Sequence, residues 1–342
     1  MTAKAHFGNP MIEQRNLARG KAVVRLDHGV IKVTGIDRLE WLHSMLTSDF
    51  KNLKPGQSRE ALLLNVQGHV EQVFHAFDDG EATSLIVPLD RVDALLKWLD
   101  RMMFRSKVEI ADVSGQWAVF GSVAELDGVE ASWVDPWPNL VLGGARYSTK
   151  VGADWNYREY LVPIEEAEAF ASTHGEAGTD ALEALRIAAW RPSLHEVDER
   201  TMPHEVDWMT TAVHLSKGCY RGQEAVAKTH NLGHPPRRLV FLHLDGSEHS
   251  LPNRGDEVWV LQPDGTRSER ARGIVTSVAQ HYEQGPIGLA LVQRGVPTEA
   301  ELVIVSELGD IAASAEVIVP QDAGKAAGLA RPNLLMGKRV ER

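Results

Sequence analysis

The single cysteine of this chain lies in a polar segment, KGCYRGQE (217–224), where a glycine stands on either side of it. Glycine permits backbone conformations that other residues avoid, including a close approach to a ligand. The charged residues Lys217 and Arg221 flank Cys219, and the sequence that follows predicts a short helix. Neighbouring cations and a helix N-terminus both favour the thiolate over the thiol. The segment therefore indicates a reactive thiol in a glycine-hinged turn.

A plainer explanation is that Cys219 fills a small space in the core, as free cysteines often do. The lysine, arginine, glutamine and glutamate around the two glycines are poor core residues, which favours a loop. On the residues alone, the functional loop and the buried filler both stay open.

The segment matches, at every fixed position, the Lys-Gly-Cys-Tyr-x-Gly-Gln-Glu signature of the YgfZ-type folate-binding proteins, which the chain therefore resembles. These proteins share a fold with the aminomethyltransferase, or T-protein, of the glycine cleavage system. Four further stretches are similar to the same family and extend the resemblance over most of the chain: 33–57, 62–77, 182–205 and 272–294. The resemblance implies an α+β fold of three domains around a central opening in which folate is bound.

The resemblance also implies a cofactor and a set of site residues. The cofactor is tetrahydrofolate or a one-carbon derivative of it. The candidate catalytic residues are Cys219 and Lys217, and the rest of the signature is Gly218, Tyr220, Arg221, Gly222, Gln223 and Glu224. The candidate folate contacts are Asn65, Gln67, Gly68, Arg186 and Glu205. In this scheme Glu205 accepts hydrogen bonds from the pterin N–H groups, and Arg186 lies near the glutamate tail.

Several of these residues have structural explanations as well. Gln67 and Gly68 are typical of a hairpin turn. Arg186 lies on an otherwise apolar helix face, where a salt-bridged or snorkelling arginine is expected. Trp190 and Trp208 could stack on a pterin ring, although core packing accounts for both. These alternatives stay open at the level of the sequence.

Two departures from the aminomethyltransferase pattern bear on function. The transferases carry an acidic pair after the glycine hairpin, including the catalytic aspartate, whereas this chain has Glu71 and Gln72. They also carry a pterin-recognising glutamate where this chain has Ala188. The resemblance therefore implies a tetrahydrofolate-binding protein that supports assembly, maintenance or repair of iron–sulfur enzymes through Cys219. A folate-dependent aminomethyl or methyl transferase is the alternative, and a purely structural scaffold is a third.

The lone cysteine also limits cofactors and partners. It excludes an internal disulfide and a CxxC motif, which fits the reducing cytoplasm. It supplies one of the several thiolates that hold an iron–sulfur cluster, so contact with iron–sulfur client enzymes or assembly proteins should be shared and transient. His-Glu-Val-Asp occurs at 195–198 and 204–207, but this spacing in a loop-like segment predicts no metal site.

Composition narrows the class further. A formal net charge of −11 argues against a nucleic-acid partner, because such binding needs a basic face. The sequence has no run of about 18–20 apolar residues, so no membrane span is predicted. The first residues have no apolar region typical of a secretory signal. We therefore expect a cytoplasmic protein.

Hydrophobic periodicity predicts the elements that position these residues. Alternating residues predict a strand over 29–35 and a hairpin over 61–77, joined at Gln67 and Gly68. Apolar spacing predicts one helix over 36–50 with Leu39, Leu42, Leu46 and Phe50 on one face. Further predicted helices are 90–104, 164–175 and 179–190.

Short strands at regular spacing follow two prolines near residue 236 and predict a small barrel or sandwich. Because the chain is too long for one typical core, several domains are expected. We assign an N-terminal α+β domain to 1–110, a middle α+β domain with the thiol segment to 111–236, and a C-terminal β-barrel to 237–342.

Overall fold

The chain folds into three β-sheets and several short helices in a computed structural model, which describes residues 2–129, 131–148, 150–247, 250–307 and 309–326. The α-helices are α1 (Pro10–Ala18), α2 (Arg38–Met45), α3 (Val92–Met102), α4 (Ala167–His174), α5 (Thr179–Ala188) and α6 (Gln223–Leu232). The strands of the first two sheets are β1 (Val24–Leu26), β2 (His28–Thr34), β3 (Gln57–Leu64), β4 (Val70–Asp78), β5 (Ala82–Pro88), β6 (Glu109–Asp112), β7 (Trp117–Ser122), β8 (Ser132–Val134) and β9 (Arg158–Pro163). The remaining strands are β10 (Arg237–Leu244), β11 (Glu257–Val260), β12 (Gly273–His281), β13 (Gly285–Gln293), β14 (Leu302–Ser306) and β15 (Gly309–Val317).

The first sheet has the strand order β3-β4-β5-β2-β6 with antiparallel pairing throughout. Successive side chains of a strand point to opposite faces. In β3, Leu63 packs on the side of the sheet that α2 and α3 cover, whereas Leu62 and Leu64 face the centre of the molecule. On α3, Leu95 and Leu99 lie one turn apart and are buried against the sheet.

The second sheet has the order β1-β7-β9-β8, so the short N-terminal strand β1 pairs with β7. Helix α4 covers one face, where Ala167 and Ala171 pack against Phe120 and Tyr160. The opposite face contributes to the same central core as the first sheet. Residues 24–26 fall within the N-terminal domain assigned to 1–110, but β1 pairs with β7 and so belongs to the second sheet. The domain boundaries at 110 and 236 stay a proposal.

The C-terminal strands form a closed antiparallel barrel in the order β10-β13-β12-β11-β14-β15. The period of two is clear in β10: Val240 and Leu242 fill the barrel, whereas Leu239 and Phe241 join the central core. This alternation fixes the barrel against the rest of the molecule. The predicted α+β fold with a C-terminal β-barrel is confirmed.

One predicted helix is shorter than its periodicity suggests. The helix predicted over 36–50 ends at Met45, and Leu46 has extended backbone angles. The chain turns there because the Thr47 N–H donates to Leu62 of β3 at 3.1 Å. Leu46 and Phe50 are nevertheless fully buried, so their apolar spacing reflects burial in a loop rather than a continuous helix.

The helix that follows the thiol segment rests on a buried histidine. His204 has no exposed surface, and its Nε2 donates to the Val226 carbonyl of α6 at 3.1 Å. Burial, and then the nearby His230, lower the pKa of His204 to about 3. Because an unfolded histidine titrates near 6.5, His204 binds a proton more weakly in the folded state. Its contribution to stability is complete above about pH 6.5 and is lost as the pH falls toward 3.

We expect the free energy of unfolding to fall by about 2 kcal/mol between pH 6.5 and pH 5 from this group alone. In His204→Gln, which keeps a donor but does not titrate, this part of the pH dependence should disappear, although the variant is less stable overall. Urea unfolding at both pH values measures the difference. Equal pH dependence in the two proteins would show that His204 is readily protonated in the folded state.

Candidate functional site

The structure places Cys219 at the surface. Its side chain is exposed, whereas Tyr220 beside it is buried. Helix α6 begins at Gln223, so the thiol lies just before a helix N-terminus, as predicted. Since Cys219 is not buried, the core-filler explanation is wrong.

Lys217 anchors the segment to helix α2. Its buried ammonium donates to the carbonyls of His43 and Leu46, at the end of that helix where carbonyls lack intrahelical partners. The ammonium also lies 5.0 Å from the centre of the Tyr220 ring. Burial lowers the pKa of Lys217 to about 8. These contacts position the thiol segment, and a catalytic role for Lys217 stays a prediction.

The turn of the β3–β4 hairpin packs directly against the thiol segment. Gly68 and Gly222 both have a φ of +82°, which favours glycine. A Cβ atom at Gly222 would lie 2.5 Å from the Asn65 carbonyl oxygen and 3.0 Å from the Gly68 Cα. Arg221 pairs with Glu71 of β4 at 3.1 Å. Two of the predicted folate contacts therefore adjoin the predicted thiol site.

The predicted contact Gln67 lies in the same turn and is exposed. Its backbone N–H donates to the Asn65 side-chain oxygen at 2.9 Å, and the His69 N–H donates to the same oxygen at 2.9 Å. This oxygen therefore already serves the turn. The role of the turn in folate binding stays a prediction.

A cavity of about 410 Å³ lies between the first two sheets and helix α5. Its charged or imidazole-bearing residues are His28, Glu60, His75, Asp135, Glu159, Asp180, Glu183, Arg186, Arg191 and His195. Of the predicted site residues, Arg186 lines it, whereas Glu205 and the whole segment 217–224 do not. The predicted residues thus fall into two groups rather than one site.

Arg186 is held by a dense set of partners. Its Nε and Nη2 donate to Glu183 at 2.8 and 2.6 Å, Nη1 donates to Glu196 at 3.0 Å, and Nη2 also donates to Ser277 at 2.7 Å. A further N–H donates to the carbonyl of Arg191. A guanidinium has five N–H groups, so these contacts leave no evident donor for a folate carboxylate. The salt-bridge explanation of Arg186 fits this geometry.

Glu205 is likewise occupied. Its buried carboxylate accepts from Arg237 at 2.8 Å and lies in a short 3₁₀ turn, Pro203–Val206. The same arginine donates to Asp198. Hydrogen bonds, that of Arg237 first, hold the pKa of Asp198 well below its usual range, although burial opposes the shift. Acceptance of pterin N–H groups by Glu205 stays a prediction.

Sequence reasoning missed two buried polar groups of the cavity wall. In the first, Glu159 of β9 accepts from His75 of β4 at 2.9 Å and lies 3.7 Å from His28 of β2. In the second, Arg191 pairs with Glu60 at 2.7 Å and Asp135 at 2.8 Å. The available signal was a titratable residue within a strand, as at Glu60, His75 and Glu159.

The two tryptophans that could stack on a pterin lie in different places. Trp208 lines the cavity, is fully buried, and its indole nitrogen has no hydrogen-bond partner. Trp190 is buried with its ring 5.9 Å from that of Phe241 of the barrel, and it does not line the cavity. Core packing therefore accounts for Trp190.

A second cavity, of about 460 Å³, lies beside the hairpin turn. It is lined by Asn65, Glu71, Arg91 and residues 197–199, and it shares Leu194 with the first cavity. It therefore lies between the hairpin turn and the central cavity. Across the described ranges, no three His, Cys, Asp or Glu side chains are grouped so that they could hold a metal ion.

No helix within the described ranges is long and apolar enough to cross a bilayer. The cytoplasmic location stays a prediction.

The contact between Gly222 and the hairpin turn can be tested with a matched pair of glycines. Gly222→Ala should destabilise the protein by at least about 1–2 kcal/mol, the cost of a left-handed alanine, because its Cβ would also overlap Asn65. Gly218→Ala should be almost neutral, since the nearest atom to its Cβ would be 4.0 Å away. Urea unfolding measures both. Equal effects of the two substitutions would contradict the packing described here.

The chain is similar to several known proteins at modest sequence identity. No model of a protein family matches the chain. A candidate chloroplastic transferase of Arabidopsis thaliana is 27% identical over 66% of this chain and 56% of its own length. The chain thus spans little more than half of that relative. A tRNA-modifying protein YgfZ of Vibrio atlanticus is 24% identical over 82% of this chain and 86% of its own length.

Two further comparisons concern function and fold. A mitochondrial iron–sulfur cluster assembly factor IBA57 homolog of Cryptococcus neoformans is 25% identical over 65% of this chain and 66% of its own length. The glycine cleavage system aminomethyltransferase T of Bartonella henselae superimposes with a TM-score of 0.69 at 18% identity, covering 91% of this chain and 89% of that structure. The resemblance to the YgfZ-type proteins is thereby confirmed at modest identity, and the chain has the fold of the glycine cleavage aminomethyltransferases.

Proposed function

We propose that this chain binds tetrahydrofolate, or a one-carbon derivative of it, and supports assembly, maintenance or repair of iron–sulfur enzymes through Cys219. The observation that carries the proposal is the exposed thiol in a complete signature segment, which Lys217 and Gly222 fix to α2 and to the hairpin. A relative is named as an iron–sulfur cluster assembly factor, which supports this role.

The central cavity fits a ligand of this kind. Its volume of about 410 Å³ lies within the usual range of small-molecule sites. Among the described residues, the Trp208 indole nitrogen and one Arg191 Nη atom at its wall lack hydrogen-bond partners. Buried donors without partners are rare in folded proteins. Without a ligand, the hydrogen bonding of this wall is therefore incomplete. When bound, tetrahydrofolate would supply the nitrogens that carry one-carbon units.

The thiol and the cavity have separate tasks in this proposal. Segment 217–224 does not line the cavity, but Arg221 contacts Glu71 at the edge of the second cavity. One exposed cysteine offers one thiolate, so the remaining ligands of an iron–sulfur cluster would come from a client, an assembly protein or a small thiol. Contact with such partners is therefore transient.

A folate-dependent aminomethyl or methyl transferase is the second candidate, because aminomethyltransferases are among the relatives of the chain. The position that matches their catalytic aspartate argues against it. Gln72 is buried, its amide donates to the Val73 carbonyl, and it does not line the cavity. Glu71 lines the second cavity and is paired with Arg221.

Titration with tetrahydrofolate under reducing conditions tests the folate half of the proposal. Trp155 and Trp208 line the cavity, so we expect saturable quenching of tryptophan fluorescence. Cys219→Ser should bind with the same affinity, because the thiol lies outside the cavity. In cells that rely on this protein, Cys219→Ser should lower the activity of iron–sulfur enzymes, whereas the neighbouring Ser216→Ala should not.

Absence of saturable binding by the wild type would overturn the folate role. Normal iron–sulfur enzyme activity with Cys219→Ser would overturn the role of the thiol. Turnover of an aminomethyl or methylated amine donor by the purified protein would instead establish the transferase.

A further inference from the structure

The imidazole of His75 is held in one orientation at the wall of the central cavity. Its ring stacks on Trp133 with the centroids 3.7 Å apart and the planes 6° from parallel. On one edge, its Nδ1 lies 2.9 Å from the Glu159 carboxylate. His75 belongs to β4 of the first sheet and Glu159 to β9 of the second, so the pair also joins the two sheets.

This arrangement decides which nitrogen of His75 faces a ligand. A carboxylate accepts hydrogen bonds, so Nδ1 carries a proton and donates a hydrogen bond to Glu159. The second nitrogen, Nε2, lies on another edge of the ring and has no hydrogen-bond partner within the described residues. His75 lines the cavity, and about 20% of its side chain is exposed. Nε2 is therefore the free polar atom of this ring.

The surrounding charges make His75 more readily protonated than its neighbour His28. The charged and titratable groups that line the cavity with it are His28, Glu60, Asp135, Tyr157, Glu159, Asp180, Glu183, Arg186, Arg191 and His195. Burial disfavours the imidazolium, but Glu159 outweighs burial and raises the pKa of His75. For His28, burial prevails over Glu159 and lowers the pKa.

Other donors at the cavity are less suitable. Arg186 has its guanidinium committed to Glu183, Glu196 and Ser277. Arg191 is committed in large part to Glu60 and Asp135. The acidic residues of the wall outnumber its cations, so the cavity disfavours an anionic group. An uncharged ring with an exposed acceptor atom fits these conditions.

We infer that His75, positioned by Glu159 and protonated on both ring nitrogens, donates a hydrogen bond from Nε2 to a carbonyl oxygen or ring nitrogen of the heterocycle that binds in the central cavity. The identity of that heterocycle as a reduced pterin rests on the proposed function. Glu159 acts through His75, because its two carboxylate oxygens already accept from His75 and Tyr157.

The inference is tested by the pH dependence of tetrahydrofolate binding between pH 5.5 and 8.5. Wild-type affinity should fall as His75 loses its second proton, because a charged donor gives the stronger hydrogen bond. His75→Gln should bind about tenfold more weakly at pH 6, the loss expected for a hydrogen bond to a charged group, and should show little pH dependence. Glu159→Gln should move the fall in affinity to lower pH.

A matched pair elsewhere serves as control. His243 and Glu316 form a similar pair at 2.8 Å on exposed positions of the barrel, outside both cavities. His243→Gln should keep the wild-type pH profile. Far-UV circular dichroism and urea unfolding establish that each variant is folded. The wild-type pH profile tests the inference even if a variant fails to fold, because it requires no substitution.

The outcomes separate this inference from the proposed function. Wild-type binding that does not change with pH, or His75→Gln with wild-type affinity, would overturn the inference and leave folate binding intact. No binding by the wild type at any pH would overturn the proposed function and the inference together.

Discussion

Two arginines five residues apart, Arg186 and Arg191, line the central cavity. Their buried ion pairs and hydrogen bonds connect the barrel, the first sheet and the segment after β8. Arg186 at the end of α5 reaches Ser277 of the barrel directly and through Glu196. Arg191 reaches Glu60 of the first sheet and Asp135. Burying charges is costly, and removal of one partner leaves an uncompensated charge. The ion pairs therefore add little to the net free energy of unfolding, whereas loss of either arginine would lower it strongly.

The same ion pairs determine what the cavity can bind. Arg186 and Arg191, the arginines that would attract a folate carboxylate, already pair with buried carboxylates. Their positive charge is therefore largely neutralised before a ligand binds. What remains at the wall is a set of aromatic rings and a few polar atoms, among which Nε2 of His75 and the Trp208 indole nitrogen have no partner within the described residues. Shape, stacking and single hydrogen bonds therefore have to provide recognition.

Strand β4 links the two parts of the candidate site. Its N-terminal end follows Gly68, which packs against Gly222 of the thiol segment, whereas His75 lies at the cavity seven residues later. At about 3.3 Å per residue, these two points are roughly 23 Å apart along the strand. The thiol segment lies at the Gly68 end of this path and does not line the cavity. The separation favours distinct binding and thiol functions over one shared reaction centre.

Local patterns could predict the hairpin and the barrel, because short apolar runs are separated there by turn residues. They could not predict the end of α2, since Leu46 and Phe50 keep helical spacing while the backbone has already turned. The contact of the hairpin with the thiol segment could not be predicted, because it joins distant parts of the sequence. The pair His75–Glu159 could not be found, because it joins two strands 84 residues apart.

The anchoring of the thiol segment bears on what a single cysteine can do. Lys217 holds one end of the segment to α2 and Gly222 holds the other to the hairpin, so Cys219 is presented from two fixed points. Such a thiol loses less conformational freedom when a partner binds, so a small contact area suffices to bind that partner. A lone thiolate that must share a cluster with a partner benefits from this geometry, because the partner then supplies the other ligands to an already oriented sulfur.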